Sequence, residues 1–485
     1  MDKPNEPSVA LLSPGESAAA PDSQRLSAWD VVREAIRGSR RDYTTGPISR
    51  AVIFLAIPMV LEMSMESIFV VVDMFFVGRL GPYAQATVAL TESLITIVYA
   101  IAIGLSIGVT AMVARRIGER DPAGAAKAAA QAIWLGFGFA ALLGVLGAVL
   151  APRLLAAMGA DADVLQRGVG YTRVLLGGNA SVMLLFLINA IFRGAGDAAI
   201  AMRALWLGNA FNILLGPCFI FGLGPFPELG VMGAAVATTT GRAIGALYAF
   251  SRLLKPGARV RLDRSHARPD ARVMWRLIRL SASGTLQIFI GVASWIGLIR
   301  ILSTFGSQAL AGYAIGLRVI LFALLPSWGL SNAAATMVGQ SLGARSPERG
   351  EKAVWIAARY NLYFLTAIGL VFLVLAPQIA GLFSKDLEVQ RYAVACLRIV
   401  ALGFPAYAYG MVITQSFNGA GDTWTPTMLN LFIFWLWEIP LGWFLAKPAG
   451  FGPTGIFISI AIAYVSLAGV SALLFKRGRW KRTVV

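Results

Sequence analysis

The chain has 485 residues, of which 57% are hydrophobic and only 14% are charged. Soluble globular proteins carry about a quarter charged residues, so this composition excludes an ordinary cytosolic domain and a disordered chain. The formal net charge of +17 raises the question of nucleic-acid binding. The Lys and Arg residues crowd beside apolar stretches and at both ends, which is typical of the loops of a membrane protein and predicts no nucleic-acid partner.

Twelve apolar stretches are long enough to cross a bilayer core of about 30 Å, which predicts an all-α integral membrane protein. We place them at 51–77, 86–111, 127–152, 165–191, 199–221, 231–254, 276–303, 309–338, 353–376, 389–417, 425–447 and 454–475. An even number of spans puts both termini on one side. Lys and Arg are concentrated on that side, which predicts cytoplasmic termini and a multi-pass protein of the cell inner membrane.

The chain repeats itself at one fixed offset of 225 positions. Phe192-Arg-Gly-Ala-Gly-Asp197 recurs as Phe417-Asn-Gly-Ala-Gly-Asp422, and Gly104-Leu-Ser106 recurs as Gly329-Leu-Ser331. From Gly81, which is matched by Gly306, to Asp197 the offset stays constant without a gap, which indicates two homologous halves.

The repeat and the charge pattern together predict five regions. They are a cytoplasmic tail at 1–47, a six-helix lobe at 48–254, a basic cytoplasmic linker at 255–275, a second six-helix lobe at 276–475 and a basic tail at 476–485. Because six is an even number, both lobes enter the membrane in the same orientation. They are then related by a pseudo-twofold axis along the membrane normal, around a central cleft, as in transporters that work by alternating access.

Several motifs, weak one by one, are specific in their order and spacing. They are Val71-Val-Asp73-Met-Phe-Phe-Val-Gly-Arg-Leu-Gly81, Val338-Gly-Gln-Ser-Leu-Gly343, Asn212-Ile-Leu-Leu-Gly-Pro217 and Gly230-Val-Met-Gly-Ala-Ala235. With them, the chain from about residue 48 to 475 resembles the multidrug and toxic compound extrusion (MATE) family. The resemblance implies a membrane antiporter, not an enzyme, that exports organic and often cationic compounds in exchange for H⁺ or Na⁺.

Two departures from the family pattern affect the expected coupling site. Many relatives have an acidic residue before the proline of the Asn-x-x-x-x-Pro motif, where this chain has Gly216. The best-known branch also has a Glu in span seven, and here that span offers only Gln287. The pattern therefore resembles more closely the branch named for a DNA-damage-inducible member, which couples through the N-terminal lobe.

Span one contains three acids, Glu62, Glu66 and Asp73. At 100° per residue they lie within about 40° of one another and share one helix face. Acids inside the membrane are costly and usually face a cavity and serve a function. Span two returns to place Glu92 at a depth similar to that of Asp73.

We predict that Asp73 is the central coupling carboxylate, with Glu66 and Glu92 as partners and Glu62 as a further candidate. Burial and like charge would favour proton exchange. A Na⁺ site would instead need several oxygens, which Asp73 and Asn212 could begin to supply, so the coupling ion stays open and no other cofactor is expected. A structural alternative is that some of these acids pair with an intramembrane arginine, for example Arg173, Arg300 or Arg318.

Aromatic and polar residues of the spans are candidates for binding an organic cation, because aromatic faces attract such ions. They are Phe69, Tyr99, Asn189, Gln287, Trp295, Tyr313, Gln415 and Glu438. Glu438 is the only acid in the spans of the second half, and it could equally pair with Arg398. Two other functions stay open: a flippase of lipid-linked precursors from the same superfamily, and a non-transporting scaffold or receptor. We expect a monomer with small-molecule partners.

Overall fold

A computed structural model describes residues 28–38 and 41–483, and residues 1–27 of the predicted tail lie outside this part. In the first half the helices are α1 (Ala28–Arg37), α2 (Ile48–Gly78), α3 (Pro82–Gly118), α4 (Pro122–Ala157), α5 (Ala162–Arg167), α6 (Val169–Gly177), α7 (Asn179–Ala195), α8 (Ala198–Phe221) and α9 (Val231–Leu253). In the second half they are α10 (Ala271–Leu302), α11 (Ser307–Gly343), α12 (Pro347–Phe383), α13 (Leu387–Leu402), α14 (Phe404–Ala420), α15 (Trp424–Asn430), α16 (Ile439–Ala446) and α17 (Pro453–Lys476). A π-helical segment, Leu431–Glu438, joins α15 to α16.

The helices account for all twelve predicted spans. Ten segments within the described residues are long and apolar enough to cross a membrane, and α13 with α14 forms an eleventh that is bent by 61°. The bend falls at Gly403, just before Pro405, where a backbone donor is missing. The twelfth span is α9, which is less apolar because it contains three threonines and Arg242. A helix satisfies its own backbone hydrogen bonds, which is why apolar stretches take this form in lipid.

The sequence repeat is also a repeat of conformation. After α3 and after α11 the chain turns through a residue with positive φ, which is Arg120 at 58° and Arg345 at 56°. The next amides close equivalent hydrogen bonds, Asp121 to Arg116 at 2.9 Å and Ser346 to Ser341 at 2.8 Å. Left-handed backbone is unusual for non-glycine residues, so its occurrence at both positions shows that the two halves share this turn.

The two halves meet through reciprocal glycine contacts on the side where α2 begins and α17 ends, which we call the terminal side. A Cβ at Gly118 would overlap the carbonyl oxygen of Gln340, and a Cβ at Gly343 would overlap that of Arg115. Each of these residues lies 225 positions from its counterpart, so the contacts are related by the pseudo-twofold axis. Small residues let helix backbones approach closely in a membrane.

The same symmetry extends deeper into the membrane. Gly104 of α3 packs on Thr285 of α10, and Gly329 of α11 packs on Met59 and Val60 of α2. Gly104 is fourteen residues before the end of α3, or about 21 Å along its axis. The close contact between the halves therefore covers the terminal-side part of the cleft.

The segments that precede α2 and α10 cross to the opposite half. The guanidinium of Arg349, at the start of α12, donates hydrogen bonds to the carbonyls of Tyr43, Thr45 and Gly46 at 2.7–3.0 Å. Correspondingly, Lys127 near the start of α4 pairs with Asp270 at 2.5 Å. These contacts hold the two halves together on the terminal side, so that side is closed.

Replacing Gly118 by Ala is expected to lower the melting temperature of the purified protein. The new methyl group would push against the backbone of Gln340, and overpacking of this kind costs about 1–3 kcal/mol. Gly343→Ala should have a similar effect. Gly138→Ala, in a helix position with no atom within 4 Å of the new Cβ, is the control and should show no loss. Equal melting temperatures for all three variants would contradict this description of the contact.

Candidate functional site

Glu62, in the terminal-side half of α2, is buried in an ion pair. Its Oε1 accepts hydrogen bonds from Arg193 Nη1 at 2.7 Å and from Asn189 Nδ2 at 3.2 Å, both on α7. Only 1% of Glu62 is exposed, and within the described part of the chain its Oε2 has no hydrogen-bond partner. The carboxylate is therefore compensated by one guanidinium and retains one free acceptor.

Glu66, one turn further along α2, forms a second ion pair. Arg242 of α9 donates from Nη2 to Glu66 Oε1 at 2.5 Å, and Asn209 of α8 donates to Oε2 at 3.2 Å. The same guanidinium lies 5.1 Å from the centre of the Phe69 ring. Phe69, a predicted substrate contact, is thus buried beneath an internal cation.

The arginines that neutralise these two acids are not the expected ones. The partners considered from the sequence were Arg173, Arg300 and Arg318. The ion pairs are formed instead by Arg193 with Glu62 and by Arg242 with Glu66. Arg193 was missed because it belongs to a repeated motif at the end of a span. One signal was available, since the second half has Asn418 at the equivalent position, and a single charged copy of a repeated residue indicates a local role.

Asp73 differs from the other acids of α2. Within residues 28–38 and 41–483, no hydrogen bond or ion pair is formed by its carboxylate, and the residue is half-buried. It interacts electrostatically with Glu92 of α3 and with Arg242. Seven residues, or about 10 Å of helix, separate it from Glu66. Asp73 is therefore the acid of α2 whose charge is not already paired.

Among the described residues, Glu92, Tyr99 and Asn212 form no hydrogen bond with Asp73. Glu92 also interacts electrostatically with Arg318 of the second half. Tyr99 packs edge-on against Phe186, and its hydroxyl is within electrostatic range of Asp73. Asn212 donates instead to Thr238 at 2.8 Å.

A central cavity with a volume of about 180 Å³ lies between the halves. Its first-half wall includes Glu62, Glu66 and Arg193, and its second-half wall includes Gln287 and Gln415. Both glutamates are paired with arginines. The negative charge facing this cavity is therefore largely compensated.

A second cavity, with a volume of about 240 Å³, adjoins the first and lies within the second half. The two share Gln287, Trp328 and Gln415. Predicted binding residues that line the second cavity are Gln287, Trp295, Tyr313, Gln415 and Glu438. The structure therefore brings five of the eight predicted binding residues to one cavity.

The pairing of Glu438 with Arg398, one of the two roles considered from the sequence, is not formed. Arg398 donates from Nε to the carbonyl of Leu373 at 3.0 Å. Only 3% of Glu438 is exposed, and among the described residues its Oε2 has no hydrogen-bond partner. Contact with a cationic ligand, the other role considered from the sequence, stays a prediction.

The pseudo-twofold axis relates the first half's ion pair to an uncharged set in the second half. Glu62, Asn189 and Arg193 correspond, 225 positions later, to Gln287, Thr414 and Asn418. The side-chain oxygens of these three second-half residues have no hydrogen-bond partner among the described residues. The same fold therefore presents charge in one half and neutral polar groups in the other.

Comparisons with known proteins agree with this architecture. Residues 58–218 and 286–444, one segment in each half, match the family model described as MatE. A protein of Caulobacter vibrioides named "Probable multidrug resistance protein NorM" is 29% identical over 444 residues, covering 88% of this chain and 91% of the relative. A protein of the same name from Thermotoga maritima is 25% identical over 446 residues, covering 90% of this chain and 94% of the relative.

Solved structures show the same fold. One, described as the outward-facing conformation of a multidrug resistance MATE family transporter of the MOP superfamily, superposes with a TM-score of 0.85 at 26% identity. It covers 91% of this chain and 98% of the solved chain. Because the family model matches both halves and most of the chain, this protein belongs to the MatE family.

Proposed function

We propose that the protein is a secondary antiporter that exports organic, cationic or amphipathic compounds in exchange for H⁺ or Na⁺. The observation that supports it best is the acid face of α2, on which Glu62 and Glu66 are paired with arginines while Asp73 is not. The relatives named as multidrug resistance proteins favour the same function. We place the chain in the inner membrane as a monomer with cytoplasmic termini and no enzymatic activity.

Asp73 is the residue to which we assign ion coupling. An ionised carboxylate without a partner is costly inside a membrane, and binding of H⁺ or Na⁺ removes that cost. Arg242 has one nitrogen, Nη1, without a hydrogen-bond partner among the described residues, and it attracts Asp73 electrostatically. Occupation of Asp73 therefore changes how firmly Arg242 holds α2 to α9, and this links the ion to the shape of the first half.

The terminal side is closed in this structure, so with cytoplasmic termini the cleft faces outward. Glu62 and Arg193 lie beside the closing contact, because the carbonyls of Arg193 and Gly194 accept hydrogen bonds from Thr336 and Gln340 of the second half at 3.1 and 3.0 Å. We assign this pair a structural role, which is to hold α7 and α2 together where the halves meet.

The flippase alternative is disfavoured by the cavities. Lipid-linked precursors carry phosphates, which need cationic walls. Arg193 lies in the wall of the central cavity but is paired with Glu62, and among the described residues that line the second cavity there is no Lys, Arg or His. Acids and aromatic rings favour cations instead.

Asp73→Asn is expected to abolish transport driven by an ion gradient, because the amide cannot take up and release the coupling ion. The assay is export of a fluorescent organic cation from proteoliposomes, with a pH gradient or a Na⁺ gradient imposed separately, which also identifies the ion. Asp163→Asn, an exposed acid of the same half, is the matched control and should transport normally. Unchanged export by a folded Asp73→Asn protein would remove Asp73 from the mechanism.

Glu62→Gln is expected to destabilise the protein, because it leaves Arg193 buried without a counter-charge at a cost of about 3–5 kcal/mol. The double variant Glu62→Gln/Arg193→Asn introduces the neutral residues found at the equivalent positions of the second half, Gln287 and Asn418, and should recover much of the lost melting temperature. If the double variant melts no higher than the single one, the pair does not act as a structural unit.

A further inference from the structure

In the first half, the segment before α2 covers the terminal-side end of that helix. α1 packs against α2 and α8, and its Ala35 is buried in one apolar cluster with Ala51 of α2 and Ala198 of α8. Further along, the guanidinium of Arg41 lies 4.7 Å from the centre of the Phe54 ring. Ala51 and Phe54 are consequently only 6% and 2% exposed.

The equivalent place in the second half is an open groove. α10 and α15 are the counterparts of α2 and of the start of α8, and Arg276 and Arg279 stand where the first half has Ala51 and Phe54. Between α10 and α15 the groove has a volume of about 700 Å³, and both arginines line it. Both are exposed. The second half therefore presents two cations where the first half is covered by its own chain.

The two arginines give the groove a positive charge that the described chain does not compensate. They are three residues apart on α10, so they lie on one face with their Cβ atoms about 5–6 Å apart. Neither forms an ion pair or a side-chain hydrogen bond within the described residues. Asp422 is the one acid among the described residues of the lining, and its two oxygens accept hydrogen bonds from the amide and the hydroxyl of Thr425 at 3.2 and 2.7 Å. Two guanidinium groups against one carboxylate leave the groove positive.

An apolar wall continues from the arginines into the membrane. Leu280 and Leu286 line the groove, and Leu286 lies seven residues, or about 10 Å of helix, beyond Arg279. Trp424, the first residue of α15, also lines the groove and is 58% exposed. Tryptophan is enriched at the level of the lipid headgroups. The groove is therefore cationic at the membrane surface and apolar further in.

The two helices that form the groove are fixed to each other. The hydroxyls of Ser283 on α10 and of Thr423, just before α15, are hydrogen-bonded. One turn further along, the hydroxyl of Thr427 donates to the carbonyl of Ser283 at 2.9 Å. A groove that is already formed loses less conformational entropy on binding than one that has to be assembled.

We propose that this groove binds one anionic phospholipid of the terminal-side leaflet, with the lipid phosphate on Arg276 and Arg279. Guanidinium groups donate paired, charge-assisted hydrogen bonds to phosphate oxygens, and basic pockets between membrane helices bind anionic lipid headgroups. An acyl chain then lies along Leu280 and Leu286, a wall that a free phosphate would leave unused. The site goes beyond the antiport function and does not depend on which ion or substrate is transported.

The test is a titration of the purified, delipidated full chain with phosphatidylglycerol in detergent, followed by native mass spectrometry. Arg276→Gln/Arg279→Gln should weaken binding of the first lipid by about tenfold or more, because charge-assisted hydrogen bonds are lost. Ala282→Trp, at an exposed residue of the lining, fills the groove without a change of charge and should weaken binding about threefold or more. Arg264→Gln/Arg272→Gln removes two exposed arginines outside the groove and is the matched control, which should bind like the unaltered chain.

Two further ligands separate a lipid site from other kinds of anion binding. Phosphatidylcholine, whose headgroup has no net charge, should bind the unaltered chain about tenfold more weakly than phosphatidylglycerol. Glycerol 3-phosphate, which lacks acyl chains, should not displace the lipid. Equal affinity for both lipids, full displacement by glycerol 3-phosphate, or equal losses in the groove variants and the control would each overturn the proposal.

The competing occupant is another part of the chain, because Thr483 also lines the groove and residues 484 and 485 follow it. Melting temperatures distinguish the two. Without lipid, Arg276→Gln/Arg279→Gln should melt at the same temperature as the unaltered chain, and phosphatidylglycerol should raise the melting temperature of the unaltered chain alone. A lower melting temperature of the variant without lipid, with an equal gain from lipid in both proteins, would assign the arginines to a contact within the chain and overturn the proposal.

Discussion

The cost of placing a charge in the hydrocarbon core is the constraint on which the interior of this protein depends. Ionised groups in such surroundings are stable only when a counter-charge and hydrogen bonds compensate them. Glu62 and Glu66 are compensated in this way, each by an arginine and an asparagine amide. Asp73 and Glu438 are not, within the described residues. This contrast separates acids that an arginine compensates from acids that no described residue compensates.

The duplicated fold makes the contrast visible, because each residue has a counterpart at the same place in the other half. The ion pair of Glu62 and Arg193 has Gln287 and Asn418 as its counterparts, so two neutral residues occupy the same positions in the other copy of the fold. Asp73 corresponds to Leu298. This unpaired acid is thus a departure from the repeat. The halves therefore share one fold but differ in the charge that they place inside it.

Much of the fold was predictable from the sequence, because span length and the fixed repeat offset depend on residue pattern alone. All twelve spans are present, and the helices extend a few residues past the predicted ends, as in Pro82–Gly118 against 86–111. The partners of the acids were not predictable. Which arginine meets Glu66 depends on how α9 packs against α2 and α8, and no local pattern encodes the distance between residues 66 and 242. The π-helical segment before Glu438 was also not predictable, because the run Leu-Phe-Ile-Phe-Trp-Leu-Trp is equally compatible with an ordinary helix.

The reciprocal glycine contacts have a consequence for how the cleft can open. At Gly118 and Gly343 the halves touch through bare backbone, with no flexible side chains between them to stretch or tilt. Separation by about 0.5–1 Å forfeits a quarter to a half of the dispersion attraction, while water cannot enter until the gap reaches its own diameter. Intermediate widths are therefore the least favourable. The contact should therefore have two stable states, closed and fully separated. Brief leaks through a partly open cleft would be rare.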